Sequence, residues 1–176
     1  MDNISIKAQA EASNSCGITT VTVVSNYYNN TDYEPNVLIE KYNVNISKGS
    51  SGNDMIEWLQ SELPGKSITF KSNGTDEEMI RDIHTSLTND NLIVVFFGAP
   101  NPYNEPYYDS HASVVYGINL DSETIIIANS YGYREEIPLV DFLNRMSYAE
   151  TDKYTSAQQF VWKFANTDKN MYILIK

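Results

Sequence analysis

Helical spacing of apolar residues dominates the first half of this chain, and strand-like runs dominate the second. Met55, Ile56, Leu59 and Leu63 recur at helical spacing behind Asn53-Asp54, which can cap a first turn, and ahead of Pro64-Gly65, which ends the helix. Residues 67–70 read as a short strand. Thr75 then opens a second helix with acidic residues in its first turn and an apolar stripe of Met79, Ile80, Ile83 and Leu87. The unbroken apolar run from residue 92 predicts a buried strand, followed by a Pro- and Tyr-rich loop over 100–110. Residues 112–118 and 124–128 predict a hairpin around a turn-rich 119–123. A further strand is expected at 133–137, a short helix from Pro138, and closing strands at 160–164 and 171–175. Helices come early and antiparallel strands late, which is an α+β arrangement. The 176 residues fit a single domain, 1–176.

Charge and composition narrow the function classes. The net charge is −11 and the basic residues form no patch, which argues against a nucleic-acid partner. No window approaches the length of an apolar membrane span, so no membrane insertion is expected. The first residues lack a charged segment followed by an apolar one and do not read as a secretory signal; the compartment stays open. With one cysteine, no intrachain disulfide can form and a cysteine-based structural zinc site is not expected. A lone thiol is either a small buried apolar group or a reactive one.

Three short segments carry the candidate chemistry. Residues 18–24 are rich in β-branched side chains and favour a strand on propensity. Yet Ser13, Asn14 and Ser15 are good cap residues, and Ile18, Val21, Val24 and Tyr28 match a helical face. In the helical reading Cys16 lies in the first turn, where backbone N–H groups favour a thiolate. His111 heads the first hairpin strand and Asn129 ends the second. A turn near Asp121 sets residue 111 across from about residue 131, so His111 and Asn129 stand at one end of the hairpin. There an Asn oxygen can fix the imidazole tautomer and leave the other ring nitrogen for Cys16. His84, the other histidine, reads as a surface or boundary residue of the second helix. Taken singly, each of the three has a plain structural reading; their order suggests more.

The segment Ser15-Cys16-Gly17-Ile18-Thr19-Thr20-Val21, continuing to Tyr28, resembles the nucleophile helix of papain-like cysteine peptidases. The nearest branch is the bacterial one related to double-glycine leader peptidases that process bacteriocins. His111-Ala112-Ser113-Val114-Val115-Tyr116-Gly117 is similar to the strand that carries the family histidine. The resemblance implies a papain-like fold, with an N-terminal nucleophile helix packed against a C-terminal antiparallel sheet. It implies Cys16 as nucleophile, His111 as base and Asn129 as its orienter. Gln9, seven residues before Cys16 where the family spacing is about six, matches the glutamine whose amide helps hold the oxyanion. The leader-peptidase branch has Asp-Pro at the third position, whereas Asn129-Ser130-Tyr131-Gly132 is nearer to papain itself.

The implied activity is cleavage of a peptide or protein substrate through a thioester, with no cofactor and no metal. Gly17, adjoining the nucleophile, and Tyr103, Tyr107, Tyr108 and Asp109, in the loop leading to His111, are the candidate substrate contacts. Glu105 and Asp109 would attract a basic residue. The same triad serves amidases, acyltransferases and transglutaminases, and a binding-only relative or an effector acting on one host protein is also compatible with the sequence. Neither the oligomeric state nor the role of residues 148–176 is legible.

Overall fold

The computed structural model describes residues 3–11, 13–159 and 168–176. Cys16–Asn29 forms the first helix, α1, despite its β-branched composition. Burial decides the conformation: every residue from Gly17 to Asn26 is buried, so tertiary packing outweighs a weak intrinsic preference. Its buried hydroxyls find carbonyls, Thr20 Oγ1 donating to Ala112 O at 2.9 Å and Thr22 Oγ1 to Ile18 O at 2.8 Å. The helix ends at Asn30, which takes the left-handed conformation.

Helix α2 (Pro35–Tyr42) was not expected from the apolar pattern, although Pro35 at the first position and Lys41 in the last turn are its end signals. Helix α3 (Gly52–Glu62) starts one step earlier than the sequence suggested. Ser51, not Asn53-Asp54, is the cap: its hydroxyl accepts from Asp54 N, and the Asp54 carboxylate accepts from Ser51 N at 2.7 Å. Helix α4 (Asp76–Thr88) has the same reciprocal box between Thr75 and Glu78.

Six strands form one sheet: β1 (Ile68–Lys71), β2 (Ile93–Pro100), β3 (Tyr108–Asn119), β4 (Thr124–Asn129), β5 (Tyr133–Pro138) and β6 (Met171–Ile175). Their order is β1-β6-β2-β3-β4-β5, and every neighbouring pair is antiparallel. Both β2 and β3 run further than the hairpin pattern predicts, so Tyr108 to Ser110 are strand residues paired with Pro100, Ala99 and Gly98 rather than part of a loop. Helix α5 (Leu139–Met146) follows β5, and a 3-10 turn covers Thr151–Lys153. The strand expected at 160–164 lies outside the described residues.

Alternation along the strands divides the core in two. Val94, Ala112, Val114, Ala128, Ile173 and Ile175 face Ile18, Val21, Leu38, Met55 and Leu59 of the first three helices. Val95, Phe97, Val115, Ile125, Ile127 and Ile137 face Met79 and Ile83 of α4 and Phe142 and Met146 of α5. The expected packing of α1 on the sheet is present, but helices cover both faces. Each fully buried side chain of this kind contributes about 1.5–3 kcal/mol.

Candidate active site

Cys16 is the first residue of α1, and its cap is bare. Ser15 makes no side-chain cap bond; its hydroxyl lies 2.6 Å from that of Ser13 instead. The N–H groups of the first turn therefore have no acceptor within the helix. Cys16 is partly exposed at a cavity of about 410 Å³, lined also by Gln9, Asp109, His111, Tyr103 and Tyr131. Gln9 reaches it because the N-terminal segment runs beside the end of β4: Gln9 N donates to Ser130 O at 2.7 Å, and Ala8 bridges to Tyr131. The extra residue between Gln9 and Cys16 is thus accommodated. Gln9 Nε2 donates to Ser13 O at 2.8 Å, and its Oε1 is buried without a partner.

The opposite wall is built from side-chain hydrogen bonds. Ser113 pairs with Asn129 across β3 and β4, and the same register sets His111 opposite Tyr131, as the turn position suggested. The two rings stack, centroids 4.0 Å apart and 15° from parallel, and Phe97 meets the imidazole edge-on at 6.1 Å. His111 Nε2 lies 2.9 Å from Asn129 Oδ1 and 2.8 Å from Ser130 Oγ. The Ser130 hydroxyl proton goes to Ala112 O at 2.7 Å, so its oxygen faces the ring as an acceptor. With two acceptors before it, Nε2 carries the proton, and in the neutral ring Nδ1 holds the free lone pair. Asn129 cannot turn its amide over, because Oδ1 also accepts from Tyr131 N at 2.9 Å while Nδ2 donates to Glu135 Oε2 at 2.8 Å.

Burial sets the resting charges. It pushes the Cys16 thiol up, although the backbone N–H groups of Ala112, Gly17 and Cys16 pull the other way. It lowers His111 to about 4, with the Asn129 hydrogen bond opposing. The first-turn position alone suggested a thiolate; burial shifts both groups toward their uncharged forms. Burial also pushes the Tyr131 hydroxyl up.

Among the other predicted contacts, Tyr103 and Asp109 line the cavity. Asp109 is held there by the amides of Asn101 and Gln158. Three of the expected contacts lie outside the cavity lining. Gly17 is buried rather than open to the cavity, and a Cβ there would come within 2.8 Å of Ser50 Cβ and 3.1 Å of Met55 Sδ; it is a close-packing glycine. Tyr107 is exposed beyond the cavity lining. Tyr108 lines a separate cleft with Arg145 and Lys153 and packs edge-on against Tyr154, because it lies on β3 rather than in a loop. Glu105 is exposed and outside the lining, and so is His84 on α4. Ser130 and Tyr131 were missed as site residues, though their place directly after Asn129 was the available signal. Gln158 had none. Among the described residues, no group of three or more His, Cys, Asp or Glu side chains is placed to hold a metal ion, and no helix is long and apolar enough to cross a membrane.

A cysteine at the head of a buried helix shares a cavity with a histidine on an antiparallel sheet, an arrangement of the papain-like cysteine peptidase class. Within that class the chain belongs to the Peptidase_C39 like family, whose model matches residues 1–156. The peptidase domain of Streptococcus ComA, a bi-functional ABC transporter involved in a quorum-sensing pathway, has a similar structure. The TM-score is 0.59 at 14% identity, over 98% of each chain. The N-terminal peptidase C39 like domain of a toxin secretion ATP-binding protein from Vibrio parahaemolyticus gives 0.52 at 14% identity, over 92% of this chain and 95% of that one. At this identity the likeness is one of fold. No curated protein sequence matches the chain.

Proposed function

We propose that this cysteine peptidase cleaves a peptide bond through Cys16, His111 and Asn129 by way of a thioester. The observation that carries the reading is the shared cavity of Cys16 and His111, with the imidazole fixed at Nε2 by Asn129. As the Cys16 sulfur attacks the carbonyl carbon, its proton passes to His111 Nδ1. The carbonyl oxygen takes the electron pair and is held by the Cys16 backbone N–H and Gln9 Nε2. The C–N bond then breaks, and His111 gives its proton to the departing amine. Water attacks the thioester, yielding its proton to Nδ1, and the acid leaves as the thiol re-forms.

The uncharged resting pair fits this scheme, since the proton moves during attack rather than before it. Tyr103 and Asp109 border the path of the substrate, and Asp109 supplies the negative charge among the lining groups. The peptidase origin of the structural neighbours supports a peptide substrate. Mass spectrometry of a mixed peptide library tests the proposal: the wild type yields cleavage products, and Cys16→Ala yields none. Equal products from both would sink it. A labelled amine added to the same reaction distinguishes hydrolysis from acyl transfer, since hydrolysis leaves the label out of the products.

A further inference from the structure

Behind Asn129 stands a charge that the scheme above does not use. Glu135 is on β5, on the same face of the sheet as Asn129, and its Oε2 accepts from Asn129 Nδ2 at 2.8 Å. Its other oxygen, Oε1, accepts from Arg145 NH1 of α5 at 2.7 Å. Both side chains of this ion pair are only 15% exposed. Burying a carboxylate at the rim of an apolar core is costly, and the neighbouring inward position on the same strand is Ile137. The pair closes a continuous line: guanidinium, carboxylate, amide, imidazole, cavity.

We propose that Glu135 is a positioning residue that supports His111 through the Asn129 amide, and that Arg145 limits how strongly it does so. The proposal rests on the reading of His111 as the base. An amide whose N–H₂ end faces a carboxylate is polarised toward its oxygen, so Asn129 Oδ1 becomes a stronger acceptor for Nε2–H as the ring gains a proton. Asn129 and Glu135 together thus present to the imidazole part of the field that a carboxylate in the third position would present directly. The positive charge of Arg145 offsets part of that field and so adds to the effect of burial, which keeps the ring uncharged at rest.

Among the described residues, the groups that share in any titration are these. His111 meets Cys16 and Asp109 in the cavity, Tyr131 on its face, Phe97 at its edge, and Asn129 and Ser130 at Nε2. Glu135 meets Arg145, Asn129 and the nearby Tyr133. Arg145 in turn lies 5.8 Å from the Tyr108 ring and shares a cleft with Asp141, Glu150 and Lys153.

The test is the NMR titration of His111 in the whole protein, with exposed His84 as internal reference. Glu135→Gln keeps an acceptor for Asn129 Nδ2 but removes the charge. Its His111 midpoint is expected to fall by about half a unit to one unit, the size of one charge acting over two hydrogen bonds. Arg145→Gln is expected to raise it by a similar amount, while His84 stays put in both. Iodoacetamide alkylation of Cys16 at pH 7 gives a second reading that needs no acid exposure. It is expected to slow about two- to threefold in Glu135→Gln and to quicken in Arg145→Gln. Loss of structure would move both variants the same way. In variants whose near-UV circular dichroism matches the wild type, shifts of the same sign, a shift in only one variant, or no shift in either overturn the proposal. The titration does not depend on turnover, so failure of Cys16→Ala to abolish cleavage would leave this result readable.

Discussion

The two walls of the cavity are held by different means. The histidine wall is fixed by directed bonds: Asn129 and Ser130 at the ring nitrogen, Tyr131 stacked on the face, and Glu135 behind the amide. The cysteine wall is fixed by packing. Its helix has no side-chain cap bond, whereas α3 and α4 each have a complete capping box. Its position comes from a buried Gly17 and the apolar contacts of Ile18 and Val21. The walls share one acceptor, Ala112 O, which accepts from Thr20 Oγ1 of α1 and from Ser130 Oγ beside the histidine. A base must hold one orientation and one tautomer, which hydrogen bonds supply. A nucleophile on a helix needs its backbone donors free, which a side-chain cap would occupy.

Removing the central group of the directed wall should have the largest effect. His111→Ala is expected to reduce peptide cleavage by about a thousandfold or more with the fold retained. Initial rates set beside thermal melting check this, and near-wild-type rates would remove His111 from the mechanism. Acid should act next most strongly on the same wall. His111 is held at about 4 in the folded chain against an ordinary value of 6.5. The unfolded chain therefore takes up a proton first as pH falls. Stability is complete above 6.5, declines between 6.5 and 4, and loses on the order of 3 kcal/mol in all. Urea midpoints at pH 7 and 5 should differ more in the wild type than in His111→Gln, and equal differences would contradict the assignment. The packed wall should answer to volume. In Gly17→Ala the new methyl meets Ser50 Cβ at 2.8 Å. The clash outweighs about 1 kcal/mol of helix propensity gained, leaving a net loss of about 1–2 kcal/mol. A thermal melt at or above that of the wild type would show that the Ser50 loop yields freely.

The histidine wall was the more legible in the sequence, for the same reason. Strand pairing has a fixed arithmetic, so a turn near Asp121 was enough to bring residues 111 and 131 together. The helix of Cys16 was ambiguous because burial on all sides leaves no polar face to give its period. Gly17 looked like a substrate contact because adjacency to Cys16 is visible in the sequence, whereas the approach of Ser50 and Met55 is not. Tyr108 was misplaced because the Pro- and Tyr-rich stretch before it reads as loop, although Tyr108 itself begins β3. The line through Glu135 and Arg145 joins residues on β4, β5 and α5, and no local pattern marks them.

The place of β6 has a temporal consequence. Met171–Ile175 lies between β1 and β2, so β1 touches the rest of the sheet only through it. Phe70 pairs with Ile173, about a hundred residues later in the chain. During folding the hairpin that carries His111 and Asn129 can form from neighbouring sequence, but β1 is joined to β2 only when β6 pairs between them. Loop closure over such a span is slow. The closing strand therefore sets an order of assembly: the β3-β4 hairpin forms from neighbouring sequence, whereas β1 joins the sheet through a contact of long sequence separation.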